Sequence, residues 1–192
     1  MNFIRTDKLA FDPRPQMGRI FVDGFYQWLK HFSKDKEKLT GALSHIFILD
    51  CFYTAVQSDE IASITACTDG TTPPIKLDRK TICNSLGLFR GIIAYIMLKK
   101  HLMIYRYPFE FPQNTGSIEF VATAIKYRGK GAAAQLLEHV MNIMPYDEYI
   151  LEVADTNTSA VRLYSKLGFS AFRRAPAPKN SGFNYFMYMR KR

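Results

Sequence analysis

Cysteine is scarce in this sequence, and its few copies show no pattern of disulfides or metal ligands. Cys51, Cys67 and Cys83 are odd in number and lie 16 residues apart, without a C-x-x-C pair. Disulfide frameworks usually have an even number of cysteines, and zinc sites have closely spaced pairs of ligands. The pattern therefore predicts reduced thiols, a cytoplasmic location and no metal site.

Long uninterrupted apolar stretches are also missing. The most apolar window, Thr81–Leu98, is broken by an asparagine, two glycines and an arginine, which favours a buried or groove-lining helix over a membrane span. The N-terminus carries Arg5, Asp7 and Lys8 with no apolar run behind them, so no secretory signal is evident. We therefore expect no membrane partner.

Acidic residues are outnumbered, and the formal net charge is +9. An excess of basic residues can favour binding of nucleic acid, binding of an acidic acceptor, or solubility alone. The basic residues are scattered along the chain, and no recognition helix or zinc spacing accompanies them. Nucleic-acid binding is therefore not favoured. With 192 residues, of which 47% are apolar, we expect one globular domain over residues 1–192.

The most informative segment that is present runs from Ser117 to Leu137. It predicts a strand, a turn with Gly129 and Gly131, and an apolar-striped helix. A helix N-terminus offers unpaired N–H groups and a positive dipole end, and glycines leave those groups accessible. Arg128 and Lys130 add positive charge to the same turn. We expect a phosphorylated ligand there.

Two other phosphate-binding motifs partly resemble this turn. A P-loop requires Ser or Thr after its lysine, but Gly131 follows Lys130. Gly129, Gly131 and Ala134 loosely fit the dinucleotide fingerprint, although five residues separate the predicted strand from Gly129. A dinucleotide-binding oxidoreductase and a plain helix-entry turn therefore both stay open on the glycine motif alone.

A second strand and helix follow downstream. Tyr149–Ala154 predicts a strand, and the run 155–159 is rich in helix N-cap residues. Beyond it, four apolar residues recur at i, i+3, i+4 and i+7 and end before Gly168; they are Ala160, Leu163, Tyr164 and Leu167. A strand–helix–strand unit between residues 117 and 155 requires a parallel strand pair.

Together these segments resemble the GNAT superfamily of acetyl-CoA-dependent N-acetyltransferases. Arg128-x-x-Gly131-x-Ala133 is similar to its acyl-CoA motif, and the run from Asn157 through Leu163-Tyr164 to Gly168-Phe169 is similar to the motif after it. The resemblance implies an α/β (α+β) fold. Its sheet would be mixed and mostly antiparallel, with a central parallel strand pair splayed for CoA and helices on its faces.

The resemblance also implies site residues. Tyr164 would be the general acid and Glu119 the candidate base, with no metal. The residues expected to bind acetyl-CoA are Val121, Ala122, Thr123, Arg128, Gly129, Lys130, Gly131, Ala132, Ala133 and Asn157. From the residues alone, Tyr164 also fits a core position, Glu119 a polar strand face, and Asn157 a helix N-cap.

Periodicity and turn residues predict the remaining elements. The predicted helices are Val22–Phe32, Lys38–Phe47 and Arg79–Met103, the last broken near Gly87 or Gly91. The predicted strands are Cys51–Gln57, Ile61–Cys67, Ser170–Arg173 and Phe183–Met189, with an aromatic loop at Tyr105–Pro112 and a further loop at Ala175–Gly182. The inserted segment 78–112 is expected either to form the acceptor pocket or simply to pack on the sheet.

The function expected from the resemblance is transfer of an acetyl group from acetyl-CoA to an amine by direct attack in a ternary complex. The alternatives are a non-catalytic acyl-CoA-binding module and, less favoured, the dinucleotide-binding oxidoreductase. The acceptor amine cannot be read from the sequence. A homodimer is compatible with it.

Overall fold

The computed structural model describes residues 1–103, 107–178 and 181–192. The helices are α1 (Arg14–Leu29), α2 (Lys36–Leu43), α3 (Arg79–Leu86), α4 (Leu88–Leu98), α5 (Ala132–Ile143) and α6 (Thr158–Lys166). The strands are β1 (Asn2–Arg5), β2 (Phe52–Gln57), β3 (Glu60–Thr68), β4 (Thr115–Thr123), β5 (Glu148–Ala154), β6 (Ser170–Pro176) and β7 (Tyr185–Lys191). The expected loops at Tyr105–Pro112 and Ala175–Gly182 lie partly outside the described residues.

The described strands form one sheet in the order β1-β2-β3-β4-β5-β7-β6. Among them, β4 and β5 make the one parallel pair, and the other neighbouring pairs are antiparallel. Helix α5 connects β4 to β5, because parallel neighbours need a crossover between them. The expected mixed, mostly antiparallel fold is confirmed.

Each face of the sheet carries its own apolar core. Residues of α1 to α4 pack on one face against Phe52 and Ile64, and residues of α5 and α6 pack on the other against Ile118 and Leu151. Successive side chains of a strand point to opposite faces. The residues after Ile118 and Leu151, Glu119 on β4 and Glu152 on β5, therefore lie on the α1–α4 face.

Several predicted element boundaries were wrong. Helix α1 begins at Arg14 rather than Val22, with a proline in its first turn where no N–H partner is required. Strand β1 was not predicted, since four residues give too short a pattern. Helix α2 ends at Leu43, and Phe47 instead bridges to Ile75. Strands β6 and β7 each extend beyond their predicted C-terminal ends.

The expected break in the third helical segment is confirmed at Gly87, whose φ of +83° suits glycine and separates α3 from α4. Gly91 lets α4 approach α3, since a Cβ there would lie 2.5 Å from the Cα of Cys83. The prediction of a buried or groove-lining helix is wrong for the outer side of α4. There Phe89 is 82% exposed and Leu88, Ile93 and Ile96 are also exposed.

Candidate active site

Strands β4 and β5 pair only over their first halves. Their ladder joins Thr115–Ile118 to Glu148–Leu151, and no further β4–β5 pairing occurs among the described residues. Strand β4 continues to Thr123 and β5 to Ala154. A gap therefore separates their C-terminal halves, and the backbone of β4 along this gap can pair with an extended ligand.

A bulge in β4 lies where this gap begins. The β3–β4 register shifts between Ile64 and Ala66, and Phe120 has a φ of +54°. Positive φ is costly for a bulky residue, so surrounding packing must hold it. The Phe120 ring lies 5.8 Å from that of Phe21 and 6.2 Å from that of Phe52. The core thereby stabilises the bend that separates the two strands.

The backbone groups of β4 that face the gap can be assigned from their neighbours. The Ala122 carbonyl accepts a hydrogen bond of 2.8 Å from the Ser63 hydroxyl on β3, so Ala122 is turned away from β5. Successive residues of a strand direct their backbone groups to opposite sides. Of the three β4 residues predicted to bind acetyl-CoA, Val121 and Thr123 therefore direct their backbone groups toward the gap, and Ala122 does not.

The glycine turn stands at the end of this gap, before α5. Gly129 and Gly131 have φ of +72° and +79°, and no side chain caps the α5 N-terminus. The amides of Arg128 and Lys130 already donate to carbonyls within the turn, to Ile125 and Tyr127 respectively. The amides at Gly129, Gly131, Ala132 and Ala133 form no such bond within the described chain, and they can accommodate an anion.

The side chain of Arg128 has a positional role in the structure. Its Nε donates to the Thr123 carbonyl at 3.2 Å and its Nη2 to the Asp23 carbonyl at 3.3 Å. The guanidinium thus links the end of β4 to α1. Lys130 is exposed, and its Nζ lies 5.9 Å from the centre of the Tyr127 ring. Both residues keep positive charge beside the turn.

Tyr164 lies on the buried side of α6. It is 6% exposed, and its ring makes an edge contact with Phe169 at 6.1 Å. No described residue hydrogen-bonds its hydroxyl. Burial raises its pKa because the phenolate would lose its hydration. The residue therefore stays protonated and can act as a proton donor.

Asn157 caps the helix that carries Tyr164. Its Oδ1 accepts hydrogen bonds from the Ala160 amide at 3.2 Å and from the Ser159 hydroxyl at 3.0 Å. The N-cap interpretation from the sequence is thus confirmed, and the cap sets where α6 begins. Any contact of Asn157 with a ligand would have to use its side-chain NH₂ group.

Glu119 lies in a hydrogen-bond network with hydroxyl groups from three segments, two of which contact it directly. Its Oε1 accepts from Ser117 at 3.0 Å and from Thr68 at 3.2 Å. The Tyr107 and Ser117 hydroxyl oxygens are 2.6 Å apart, and because Ser117 donates to Glu119, Tyr107 donates to Ser117. The Gly70 amide in turn donates to Thr68. The carboxylate therefore has a fixed position at the start of the gap.

The environment of Glu119 suits a base that works near neutral pH. Burial, and less strongly the charges of Glu152 and Asp69, raise its pKa to about 7 against the opposing effect of the hydrogen bonds from Ser117 and Thr68. A base is most effective when its pKa is close to the working pH. Glu119 can therefore take up and release a proton under ordinary conditions.

Some residues of this network were not found by sequence reasoning. Ser117 and Glu119 are two residues apart on a strand, so their common face could have been predicted. Thr68 and Tyr107 are 51 and 12 residues distant in sequence from Glu119 and give no local signal. No cluster of metal-ligating side chains and no helix long and apolar enough to span a bilayer occurs in the described ranges.

Comparison of the sequence with protein families identifies the class of protein that these features define. The sequence model of the acetyltransferase (GNAT) family matches residues 51–169, more than half of the chain. The chain therefore belongs to this family, and the resemblance is confirmed. A search of curated proteins finds no matching relative.

Solved acetyltransferase structures share the fold. An N-acetyltransferase from Staphylococcus aureus Mu50 gives a TM-score of 0.68 at 17% identity and covers 100% of both chains. A GNAT-family acetyltransferase from Streptococcus agalactiae 2603 gives 0.57 at 10% identity and covers 99% of this chain and 94% of its own. At such identities the similarity concerns the fold and carries no information on the acceptor.

Proposed function

We propose that this chain transfers an acetyl group from acetyl-CoA to a primary amine by direct attack within a ternary complex. The observation that carries the proposal is the position of Glu119 at the start of the β4–β5 gap, with the uncapped glycine turn at the other end. One ligand that is extended and carries phosphates fits both features. Acetyl-CoA supplies the thioester whose carbonyl carbon the amine attacks.

The residues for binding acetyl-CoA can be ordered by their contacts. Amides at Gly129, Gly131, Ala132 and Ala133 would hold the pyrophosphate, with the charges of Arg128 and Lys130 nearby. The gap-facing backbone of Val121 and Thr123 would pair with the pantetheine arm and polarise the thioester carbonyl. Ala122 and Asn157 would support the site indirectly, by holding β4 and the start of α6 in place, since their described hydrogen bonds are made within the protein.

Two side chains would handle protons. A primary amine with a lysine-like pKa of about 10.4 is mostly protonated at neutral pH and must lose its proton before attack. Glu119 accepts that proton, directly or through a water. Tyr164 donates a proton to the departing thiolate of CoA, which its buried, protonated hydroxyl suits. The acceptor enters from the side of the inserted segment 78–112, which contributes Tyr107 to the Glu119 network.

Two alternatives remain for the function. A non-catalytic acyl-CoA-binding module would have the same fold and the same glycine turn. Only a measurement of turnover can therefore distinguish it from an enzyme. The oxidoreductase alternative is disfavoured, because a doubly wound dinucleotide fold needs several parallel strands and the described sheet has one parallel pair. A cytoplasmic location, a homodimer and the extent of one domain over residues 1–192 stay predictions.

Release of CoA thiol from acetyl-CoA in the presence of a panel of amines tests the proposal. We expect turnover by the wild type and a loss of about 10²-fold or more for Glu119→Gln, which keeps the shape of the side chain without a basic group. Calorimetric titration with CoA separates the alternatives. Binding of CoA with no turnover of any amine in the panel would support the binding module. Absence of CoA binding would refute both the acetyltransferase and the binding module.

A further inference from the structure

A cavity with aromatic walls lies on the inserted segment, beside the β3–α3 loop. Its volume is about 260 Å³, and it is lined by Gly70, Thr71, Tyr107, Phe109 and Phe111. This volume is below the range of about 300–1,000 Å³ found for drug-sized ligands. A cavity of this size can hold a small apolar group rather than a whole drug-sized ligand.

The cavity and Glu119 share two connections. The Tyr107 hydroxyl, at the cavity wall, contacts Ser117, which donates to Glu119. Gly70 also lines the cavity, and its amide donates to Thr68, which donates to Glu119. On both sides, two successive hydrogen bonds thus connect the lining of the cavity to the Glu119 carboxylate.

The rings of the cavity lie on the same face of the sheet as the two carboxylates. Tyr188 of β7 is the register partner of Glu152, and its ring lies 6.0 Å from that of Tyr107 and 5.3 Å from that of Phe109. Aromatic faces and carboxylates both attract an ammonium group. Desolvation by the rings also lowers the pKa of an amine, while burial raises that of Glu119. Proton transfer between them becomes less costly.

A positively charged side chain of β6 lies next to Phe109. The Arg173 guanidinium lies 5.5 Å from the centre of the Phe109 ring, and Phe109 makes an edge contact with Phe172. Arg173 and Arg174 line a neighbouring cavity of about 390 Å³. A second cationic group that extends past Phe109 would meet these arginines, and like charges at short range repel each other.

We propose that the acceptor is a monoamine with an aromatic or similarly apolar body, held in the cavity of Tyr107, Phe109 and Phe111 with its amine beside Glu119. The proposal rests on acetyl transfer as the proposed function. Phe109 is a specificity-determining residue, since it separates the cavity from the arginines. Polyamines and lysine side chains of basic peptides are disfavoured acceptors.

Acetylation of 2-phenylethylamine, butylamine, spermidine and a lysine-containing peptide by the full chain tests this proposal. We expect kcat/KM for 2-phenylethylamine to exceed that of the other three by about tenfold or more, as aromatic packing of about 1.4 kcal/mol would give. Phe109→Leu keeps apolar volume and should raise KM for 2-phenylethylamine with kcat little changed. The matched control Phe89→Leu, at an 82% exposed site on α4, should leave the preference intact.

Equal or better use of spermidine or of the peptide would overturn the proposal, as would a preference that Phe109→Leu leaves unchanged. Calorimetric titration of 2-phenylethylamine into the CoA-saturated protein gives a readout that needs no turnover. Binding that weakens in Phe109→Leu supports the cavity even if acetyl transfer fails. Absence of binding by an enzyme that acetylates other amines refutes the cavity and leaves the proposed function in place.

Discussion

Removal of the Ser117 hydroxyl should shift the pH dependence of catalysis. Ser117 donates to the Glu119 carboxylate at 3.0 Å, and this bond lowers the pKa of Glu119 against the effect of burial. A hydrogen bond to a charged group contributes about 1.5–3 kcal/mol, and 1.36 kcal/mol corresponds to about one pKa unit. Thr68 still donates to the same oxygen in Ser117→Ala. We therefore expect an upward shift of about one unit rather than two.

The direction of the effect on rate follows from the role of the base. Glu119 is active as the carboxylate, so kcat/KM rises as the pH passes through its pKa of about 7. A pKa about one unit higher reduces the carboxylate fraction at neutral pH about fivefold, and by little near pH 9. The Ser117→Ala variant should therefore be slow at neutral pH and nearly normal in alkaline solution.

The assay is kcat/KM for one amine from about pH 5.5 to about pH 9.5. The acceptor titrates identically with both enzymes, so its contribution cancels in the ratio of the two profiles. Ser170→Ala removes an exposed hydroxyl at the start of β6 and should leave the profile unchanged. Thr68→Val should move the inflection in the same direction as Ser117→Ala. The ¹³C shift of the Glu119 carboxyl group measures the same pKa without turnover.

An active Ser117→Ala variant whose inflection stays in place, or moves to lower pH, would refute this reasoning. The hydrogen bond would then not control the ionisation that limits the rate. If the carboxyl ¹³C titration shifts upward but the rate profile does not, Glu119 titrates as described and is not the base.

Three other predictions concern residues of the same site. Gly131→Glu should abolish CoA binding in calorimetry, whereas Gly131→Ala, with the same strain at φ of +79° and no charge, should weaken it far less; equal losses would argue against a pyrophosphate at the turn. Tyr164→Phe should lower kcat by about 10²–10⁴-fold with little change in CoA affinity, and a pre-steady-state loss below about tenfold would indicate a core role. Glu119→Gln should increase the free energy of unfolding by on the order of 1–3 kcal/mol at about pH 8. The folded-state pKa lies above the unfolded value of 4.5, so ionisation of Glu119 destabilises the fold above pH 7 and has no effect below pH 4.5. If urea denaturation shows the same difference in free energy of unfolding between Glu119→Gln and the wild type at about pH 8 and below pH 4.5, the raised pKa is contradicted.

The local sequence determined the elements whose signals lie within a few residues. Gly87, with no Cβ, marked the break between α3 and α4, and the periodic residues around Tyr164 marked α6. Gly129 and Gly131 marked the turn, since positive φ there favours glycine. The parallel β4–β5 pair followed from the crossover that α5 requires. These features depend on backbone conformation and short-range spacing, which a sequence displays directly.

Only the tertiary structure decided how the candidate site is assembled. The bulge at Phe120 depends on packing against Phe21 and Phe52 from distant segments, and it sets where β4 and β5 separate. Thr68 reaches Glu119 because β3 pairs with β4, and Tyr107 of the inserted segment reaches Ser117, which donates to Glu119. A carboxylate acquires a raised pKa from burial, and burial depends on what the rest of the chain places around it. Glu119 could therefore be named from the sequence, but its properties could not.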